Sequence, residues 1–294
     1  MTAAAPVVDI RPLLVPDDPA GVDAVVAAID EACRATGFFV GVGHGLDGPM
    51  TDVFGAAHQL FALAQHDKDA LAMWQRCGYV HDGAKELYDV ELVTPRGVDR
   101  NRWPSLTGFR EAVERYEREA LDVAAAVLRA LAVALDIGPT FFADRMGAPE
   151  CYLRMLRYPA RSESAAPTPT RTHTDYGAIT LLATDGVSGL QVHPVDGGWV
   201  DVVAPPGSLV VNLGDMLARW TNDRYRSTPH RVTTSAAEDR YSVPFFVNPD
   251  ADTVVECIDS CVDAGHPCAY LPVTATEFLQ GRIDGTIAVP LPPD

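Results

Sequence analysis

The sequence has no run of about 18 apolar residues, which is the length that a membrane-spanning helix requires. Its first ten residues also lack the basic segment and the apolar segment of a secretory signal. These absences predict a soluble chain that stays in the cytoplasm and has no membrane partner.

Positive charge is scarce as well. The 294 residues include 23 lysines and arginines against 40 aspartates and glutamates, so that the formal net charge is −17. A chain this acidic is not expected to attract nucleic acid or an anionic membrane. A small anionic molecule is still compatible with it, because the local field of a pocket can oppose the global charge. We therefore expect a small-molecule substrate.

Cysteine is limited to six residues, and a cytoplasmic chain of this size is expected to keep them as free, mostly buried thiols. Cys257, Cys261, His266 and Cys268 lie close enough in sequence to suggest zinc. Their spacing, however, fits no common zinc module, and the aspartate, glycine and proline between them are typical of a surface loop. We therefore expect no zinc site in this segment.

Hydrophobic periodicity predicts a mostly helical N-terminal part. Apolar residues recur at helical spacing over residues 19–36 and, in the longest such pattern, over residues 106–137. Short apolar runs at residues 7–10 and 38–42 predict strands. Residues 76–102 carry mixed charge and no regular period, which predicts an irregular segment.

The character of the sequence changes after about residue 150. Short runs rich in β-branched and aromatic residues follow one another, separated by glycine and proline, as in a sandwich or barrel. The predicted strands are residues 152–158, 178–184, 190–193, 199–203, 208–213, 230–234 and 241–247, and residues 274–280 predict a closing helix. The chain is thus expected to be α+β with a mainly β core. Residues 1–150 would form a helical region of the same compact unit, and residues 151–294 its core.

One pair of residues suggests a metal site. His173 and Asp175 stand two positions apart just before a predicted strand, and in an extended chain such residues point to the same side. His230 opens another predicted strand and could supply a third ligand. Two histidines and one carboxylate leave three positions open on a metal, the arrangement of non-haem Fe(II) oxygenases. The His-x-Asp spacing alone is weak evidence, since a histidine near a strand end is commonly a hydrogen-bonded core residue.

A second constellation strengthens this interpretation. Arg240 and Ser242 follow His230 closely and again lie two positions apart. A guanidinium group binds a carboxylate through two hydrogen bonds, and a neighbouring hydroxyl adds another. Tyr158, at the end of an earlier predicted strand, could add a third contact. A dicarboxylate cosubstrate that chelates iron at one end needs such an anchor at the other, whereas a structural salt bridge would explain Arg240 by itself.

Several segments together resemble the iron(II)/2-oxoglutarate-dependent dioxygenases of the isopenicillin N synthase-like group. The similar segments are residues 173–182, 189–192, 212–222, 227–232 and 240–242, with residues 6–10 and 36–45 in the N-terminal half. The resemblance covers essentially the whole chain. It implies a double-stranded β-helix, or jelly roll, with the helical N-terminal part packed on it.

The resemblance also implies an enzyme and its cofactors: Fe(II), 2-oxoglutarate as cosubstrate and O2. Such an enzyme oxidises a C–H bond of a small metabolite by hydroxylation, desaturation or ring closure, with release of succinate and CO2. By matching positions, the metal and catalytic residues are His173, Asp175 and His230, and the residues that bind 2-oxoglutarate are Arg240, Ser242 and Tyr158.

Further positions receive roles by the same resemblance. Asn212, Asp215 and Trp220 are expected to form the framework around the metal strand, and His44 is expected to be structural. The carboxylate of Asp175 disfavours the halogenase variant of the site, in which a small residue leaves room for halide.

The substrate side departs from the group. Residues 76–102 are shorter than is typical, and Arg171 occupies a position that is usually small. Arg171 precedes His173 by two residues and Arg154 precedes Tyr158 by four, so both side chains are predicted to face the site if these segments are extended. We therefore predict that Arg154 or Arg171 binds an anionic group of the substrate. The alternative is that acidic residues of the chain pair with both arginines.

Other functions are compatible with parts of the pattern. An oxidase of the same fold that uses no 2-oxoglutarate, such as isopenicillin N synthase, retains the Arg-x-Ser pair. A jelly-roll binding module without catalysis would not need a complete set of ligands and anchors. A cupin-like zinc or manganese enzyme would need more histidines, and His193 and His266 have no clear place at the site.

Overall fold

The computed structural model describes residues 5–15, 19–93, 97–160, 170–195, 197–233, 238–289 and 291–292. The helices are α1 (Arg11–Leu14), α2 (Pro19–Ala35), α3 (Asp47–Phe61), α4 (Gln65–Asp69), α5 (Phe109–Ala134), α6 (Asp215–Trp220) and α7 (Ala275–Ile283). The strands before residue 150 are β1 (Val7–Asp9), β2 (Phe38–Val42), β3 (Gly78–His81) and β4 (Glu86–Glu91). The later strands are β5 (Tyr152–Tyr158), β6 (Ile179–Thr184), β7 (Leu190–Val192), β8 (Val200–Asp201), β9 (Leu209–Leu213), β10 (His230–Val232), β11 (Arg240–Val247), β12 (Val254–Val255) and β13 (Val273–Thr274).

Helix α2 forms because its apolar residues recur once per turn, and the helix buries Val25, Ile29 and Cys33. The chain leaves this helix through Gly37, which has a φ of 69°. A Cβ atom at this position would lie 2.0 Å from the carbonyl oxygen of Arg226. Glycine is therefore required for the chain to turn directly into β2.

The described strands form one large sheet and one small three-stranded sheet that face each other, and β12 and β13 pair separately as a two-stranded sheet. In the described part of the chain, the large sheet has the order β1-β2-β9-β6-β11-β5-β4-β3, and the small sheet has the order β10-β7-β8. Side chains from both sheets share one buried cluster, in which Leu156 and Tyr158 of the large sheet meet Leu190 and Val192 of the small one. Two facing sheets with these crossovers make the double-stranded β-helix, so the predicted fold class is confirmed.

The large sheet has an outer face and an inner face, because successive side chains of a strand point to opposite sides. On β11, Val243 and Phe245 point outward into a cluster that includes residues of α2, α3 and α5. Arg240 and Ser242 lie on the other side of the same strand. The inner face looks toward the small sheet, and it carries the candidate site.

The prediction of an irregular segment at residues 76–102 is wrong for residues 78–91 and correct for residues 97–102, whereas residues 94–96 lie outside the described residues. β3 and β4 form a hairpin there, and β4 pairs with β5 at the edge of the large sheet. Side chains of β4 do alternate between the two faces, since Tyr88 and Val90 point outward and Leu87 and Asp89 point inward. The three acidic residues of the strand hide this alternation in the sequence. One of those residues, Glu86, is buried because Lys68 and Arg157 neutralise it.

The cysteine prediction is correct for four residues and wrong for two. The four residues outside the pair are free and buried, whereas Cys257 and Cys268 form a disulfide with their Cα atoms 5.9 Å apart. The side chain of Asn222 brings the two ends of this loop together, since its amide donates to the Cys261 carbonyl and its oxygen accepts from the Ala269 N–H. Among the described residues, the side chains of this loop do not form a group of three converging metal-ligating atoms.

The helices of the described residues include none that is long and apolar enough to cross a bilayer.

Candidate metal centre and substrate cavity

Three side chains converge where β10 meets the segment before β6. The donor atoms of His173, Asp175 and His230 all lie within 4.8 Å of one another. The two histidines are held opposite each other by backbone hydrogen bonds, His230 N–H to the His173 carbonyl at 2.8 Å and His173 N–H to the His230 carbonyl at 3.1 Å. Nε2 of His230 lies 3.8 Å from Oδ1 of Asp175. Folding thus brings together the three residues predicted as ligands.

Both imidazole rings are oriented in the same way. Nδ1 of His173 lies 3.1 Å from the carbonyl oxygen of Arg171, and Nδ1 of His230 lies 3.1 Å from that of Thr228. A carbonyl can only accept, so each Nδ1 donates its proton and each Nε2 keeps a lone pair. Partial removal of the ring from bulk water and the neighbouring His230 lower the pKa of His173 to about 4, although the residue as a whole is exposed. His173 therefore stays neutral at ordinary pH, as a metal ligand must.

Only one oxygen of the Asp175 carboxylate accepts hydrogen bonds from neighbouring side chains in the described part of the chain. Its Oδ2 atom accepts hydrogen bonds from the Thr180 hydroxyl at 2.6 Å and from the Asn212 amide at 2.7 Å. Thr180 and Asn212 are paired residues of β6 and β9, so the sheet register places both donors on one oxygen. Oδ1 is left to face His230. Burial alone would raise the pKa of Asp175, but the two histidines and these donors hold it below its usual value.

Asp215 anchors the segment that carries the first two predicted ligands, His173 and Asp175. Its backbone N–H donates to the Asp175 carbonyl at 2.8 Å, and its carboxylate accepts from Thr174 at 2.9 Å and Arg282 at 2.8 Å. Asn212 and Asp215 therefore do support the centre, as predicted. Trp220 packs against Phe141 and Phe142. His44 is structural, since its ring bonds the backbone of Gly207 and Leu46.

These residues suit a divalent iron ion. Two imidazole nitrogens and one carboxylate oxygen converge, and the outer atoms of all three side chains are hydrogen-bonded. No fourth histidine, cysteine or carboxylate joins this group among the described residues, so coordination positions remain for a cosubstrate and O2.

A buried arginine lies on the same inner face. Arg240 is 3% exposed and stands opposite Tyr158 across β11 and β5, with its guanidinium carbon 5.3 Å from the tyrosine ring centre. Its Nη1 donates to the Ser242 hydroxyl at 3.2 Å, and its Nε donates to the Val187 carbonyl at 3.2 Å. No ion pair joins Arg240 to a carboxylate in the part of the chain that the structure describes. A buried cation without a counter-ion is costly, and a bound anion would remove that cost.

A cavity of about 350 Å³ opens beside the candidate metal centre. The inner faces of β4, β5 and β11 form one wall, helix α7 covers it, and the chain between α4 and β3 closes its end. The lining residues are Met73, Arg76, Asp89, Tyr152, Arg154, His173, Thr174, Asp175, Tyr176, Gly177, Phe246, Asn248, Leu279 and Ile283.

The two arginines that were predicted to bind an anionic substrate group differ in position. Arg154 lines the cavity, but Asp89 holds its Nε and Nη2 atoms at 2.7 Å each. Arg171 is exposed and is not among the lining residues. The sequence interpretation missed Arg76 and Tyr152. The period of two along β5, which pointed to Arg154, extends to Tyr152, whereas nothing local indicated Arg76.

Two regions of the chain match known families. Residues 149–249 match the 2OG-Fe(II) oxygenase superfamily. Residues 5–104 match the family described as non-haem dioxygenase in morphine synthesis, N-terminal. The first match contains all six residues predicted to bind the metal or 2-oxoglutarate.

Individual proteins resemble the chain over most of its length. A 2-oxoglutarate-Fe(II) type oxidoreductase, hxnY, from Emericella nidulans is 32% identical, covering 95% of this chain and 89% of that protein. A homoarginine-6-hydroxylase from Arabidopsis thaliana is 32% identical over 87% of this chain and 88% of its own. The crystal structure of a full-length Neurospora crassa protein in complex with alpha-KG, which is 2-oxoglutarate, has a TM-score of 0.89 and 26% identity. The match covers 98% of this chain and 100% of that one.

Proposed function

This chain belongs to the 2OG-Fe(II) oxygenase superfamily, and on that basis we propose that it oxidises a C–H bond of a small anionic metabolite by hydroxylation, desaturation or ring closure. It is an enzyme that uses Fe(II), 2-oxoglutarate and O2 to oxidise a small molecule. With the cosubstrate and O2, the iron supplies an oxidant for C–H bonds, and 2-oxoglutarate leaves as succinate and CO2.

We propose that His173, Asp175 and His230 hold the iron. The observation that carries the proposal is the convergence of their donor atoms within 4.8 Å. The hydrogen bonds behind them leave one nitrogen or oxygen of each side chain directed at the centre. The protein thereby sets the coordination geometry before the ion arrives, so that little reorganisation is needed on binding.

Arg240, Ser242 and Tyr158 are the proposed anchor for the distal carboxylate of 2-oxoglutarate. The guanidinium group is buried, it has no carboxylate partner among the described residues, and the Ser242 hydroxyl is already in contact with it. A carboxylate that enters this position gains charge-assisted hydrogen bonds in a place shielded from water. The anchor thus orients the cosubstrate and selects for a dicarboxylate.

The test is an anaerobic titration of the metal-free protein with Fe(II) and then 2-oxoglutarate, followed by the weak visible charge-transfer band of their complex. We expect the band in the wild type and its loss in His173→Ala and in Arg240→Ala. His193→Ala is the matched control, because the His193 ring packs on Trp199 and is not one of the converging donor groups, so its loss should leave the band intact. The backbone hydrogen bond from His193 to the Pro229 carbonyl is kept in this variant.

Product analysis separates the alternatives. Succinate formed in proportion to oxidised substrate supports the proposal. Substrate oxidation without succinate would favour the oxidase of the same fold, and absence of both the band and turnover would favour a binding module.

Three further expectations stay predictions. They are the division of the unit at residue 150, the cytoplasmic location and the absence of nucleic-acid partners. The large sheet takes four strands from before residue 150 and four from after it, which supports a single folding unit.

A further inference from the structure

The charges on the wall of the cavity do not cancel. Beyond the metal ligands, the lining contains two arginines, Arg76 and Arg154, and one carboxylate, Asp89. Arg154 and Asp89 are directly paired residues of β5 and β4, and they satisfy each other through two hydrogen bonds of 2.7 Å. Arg76, by contrast, has no carboxylate partner among the described residues.

Arg76 is held by an aromatic ring and not by an acid. Its guanidinium carbon lies 4.4 Å from the ring centre of Tyr152, the geometry of a cation–π contact. Among the described residues it forms no ion pair. Burial raises the pKa of Glu150, and the nearby positive charge of Arg76 opposes this rise. The two side chains nevertheless form no ion pair among the described residues. Arg76 is exposed and also lines the cavity, so its remaining guanidinium donors are open to solvent and to a ligand that enters the cavity.

The backbone at Arg76 is in a conformation that side chains disfavour. Trp74 and Cys77 bond each other through their backbones at 2.8 and 3.1 Å, so that Gln75 and Arg76 form a two-residue hairpin loop. Their φ angles are 47° and 74°, and both lie in the left-handed region, where such loops normally use asparagine and glycine. An arginine at this position is unfavourable for the turn itself, which indicates that its side chain is retained for another purpose.

We propose that Arg76 binds a carboxylate group of the substrate, and that the substrate is a small monocarboxylate with an apolar or flat body. This inference rests on the proposed function. The single uncompensated positive charge sets the charge of the substrate, and the aromatic and aliphatic lining residues set the character of its body. Those residues are Met73, Tyr152, Tyr176, Phe246, Leu279 and Ile283. The role predicted for Arg154 changes accordingly: paired with Asp89, it shapes the wall, and Arg76 supplies the free charge.

The test compares acids with their primary amides on the full chain, loaded anaerobically with Fe(II) and 2-oxoglutarate. The probes are benzoate, 3-phenylpropanoate and octanoate, each beside benzamide, 3-phenylpropanamide or octanamide, and the readout is Kd by calorimetry. We expect at least one acid to bind about ten-fold or more tightly than its amide, since a charge-assisted hydrogen bond is lost in the amide. Arg76→Gln should reduce that preference to about two-fold or less.

Arg100→Gln is the matched control. Arg100 is an exposed arginine from the neighbouring segment that pairs with Glu91 and does not line the cavity, so its loss should leave the acid preference unchanged. If every acid binds no better than its amide, or if Arg76→Gln keeps the preference, the proposal is wrong. A normal charge-transfer band in the same samples shows that such a failure concerns the substrate site and not the iron and 2-oxoglutarate site.

A second variant separates binding from a structural role. Arg76→Gly places the residue best suited to a positive φ in the turn, so the urea midpoint should stay the same or rise while acid binding weakens as in Arg76→Gln. A lower urea midpoint together with weaker binding would mean that Arg76 supports the fold, and it would overturn the assignment.

Discussion

The two faces of the large sheet use the same strands for different purposes. On β11, Val243 and Phe245 are fully buried on the outer face against the helical part. Arg240 and Ser242, on the inner face of the same strand, are just as inaccessible to solvent but are polar and hydrogen-bonded. Hydrophobic burial on the outer face stabilises the fold. The polar groups of the inner face can therefore serve binding, even where they contribute little to stability.

Each side of the large sheet also has a buried carboxyl group, and the two differ in their surroundings. Glu117 of helix α5 is 2% exposed on the outer side, and its Oε1 atom has no hydrogen-bond partner among the described residues. On the inner side, Asp175 is almost equally buried, yet donors and histidines surround it. A buried carboxyl group thus stays ionised where hydrogen-bond donors and histidines surround it, and it becomes a neutral acid where they do not.

The largest expected effect lies on the outer face. Phe245→Ala removes a fully buried ring and should lower the free energy of unfolding by about 3–5 kcal/mol, because a cavity remains where the ring packed. Urea denaturation measures the loss. At temperatures where the variant is folded, the Fe(II)–2-oxoglutarate band should persist, and its disappearance from folded protein would contradict the separation of the two faces.

The next effect depends on pH. Burial, helped by the charges of Glu114 and Asp99, raises the pKa of Glu117 from 4.5 to about 8. Because the folded-state pKa is the higher one, the unfolded chain loses this proton first, and the stability contribution falls as pH rises between these two values. Glu117→Gln should therefore gain about 1.4 kcal/mol per pH unit over the wild type between pH 5 and pH 7.

Urea denaturation at pH 5, 6, 7 and 8 checks this slope. Glu111→Gln, an exposed change on the same helix, is the control and should show no such trend. A constant difference between Glu117→Gln and the wild type at all four pH values would show that Glu117 titrates normally.

The smallest effect belongs to the hydrogen bonds behind the centre. Asn212→Ala removes one of the two donors to Oδ2 of Asp175 and should weaken Fe(II) binding by about 10- to 100-fold, which is typical for a residue that orients a metal ligand. Anaerobic Fe(II) titration gives the Kd. Thr180→Val removes the other donor and should act in the same direction, whereas unchanged affinity in both variants would mean that the carboxylate needs no support from the inner face.

Much of the fold followed from local pattern. The predicted strand at residues 152–158 has the bounds of β5, and the helix predicted over residues 106–137 contains α5. The period of two correctly placed Arg240 beside Ser242, and His173 near Asp175. Such pairs are predictable because the geometry of an extended segment determines them without reference to the rest of the chain.

The predictions that failed, for β4 and for Arg154, share a different cause. The acidic residues of β4 look solvent-exposed until Lys68 and Arg157 are seen to neutralise Glu86. Arg154 looked free until β4 placed Asp89 directly beside it. In each case the partner is remote in sequence or lies in a segment without a clear period.

The sequence by itself thus determined the types of the candidate ligands, their spacing within each segment and, through the resemblance, the cofactors. Only the tertiary structure decided that Asp89 neutralises Arg154, and that Arg76 lines the cavity without an ion pair among the described residues. The physical reason is that periodicity sets the direction of a side chain, whereas its counter-ion comes from another strand or turn, which the folded chain alone brings within reach.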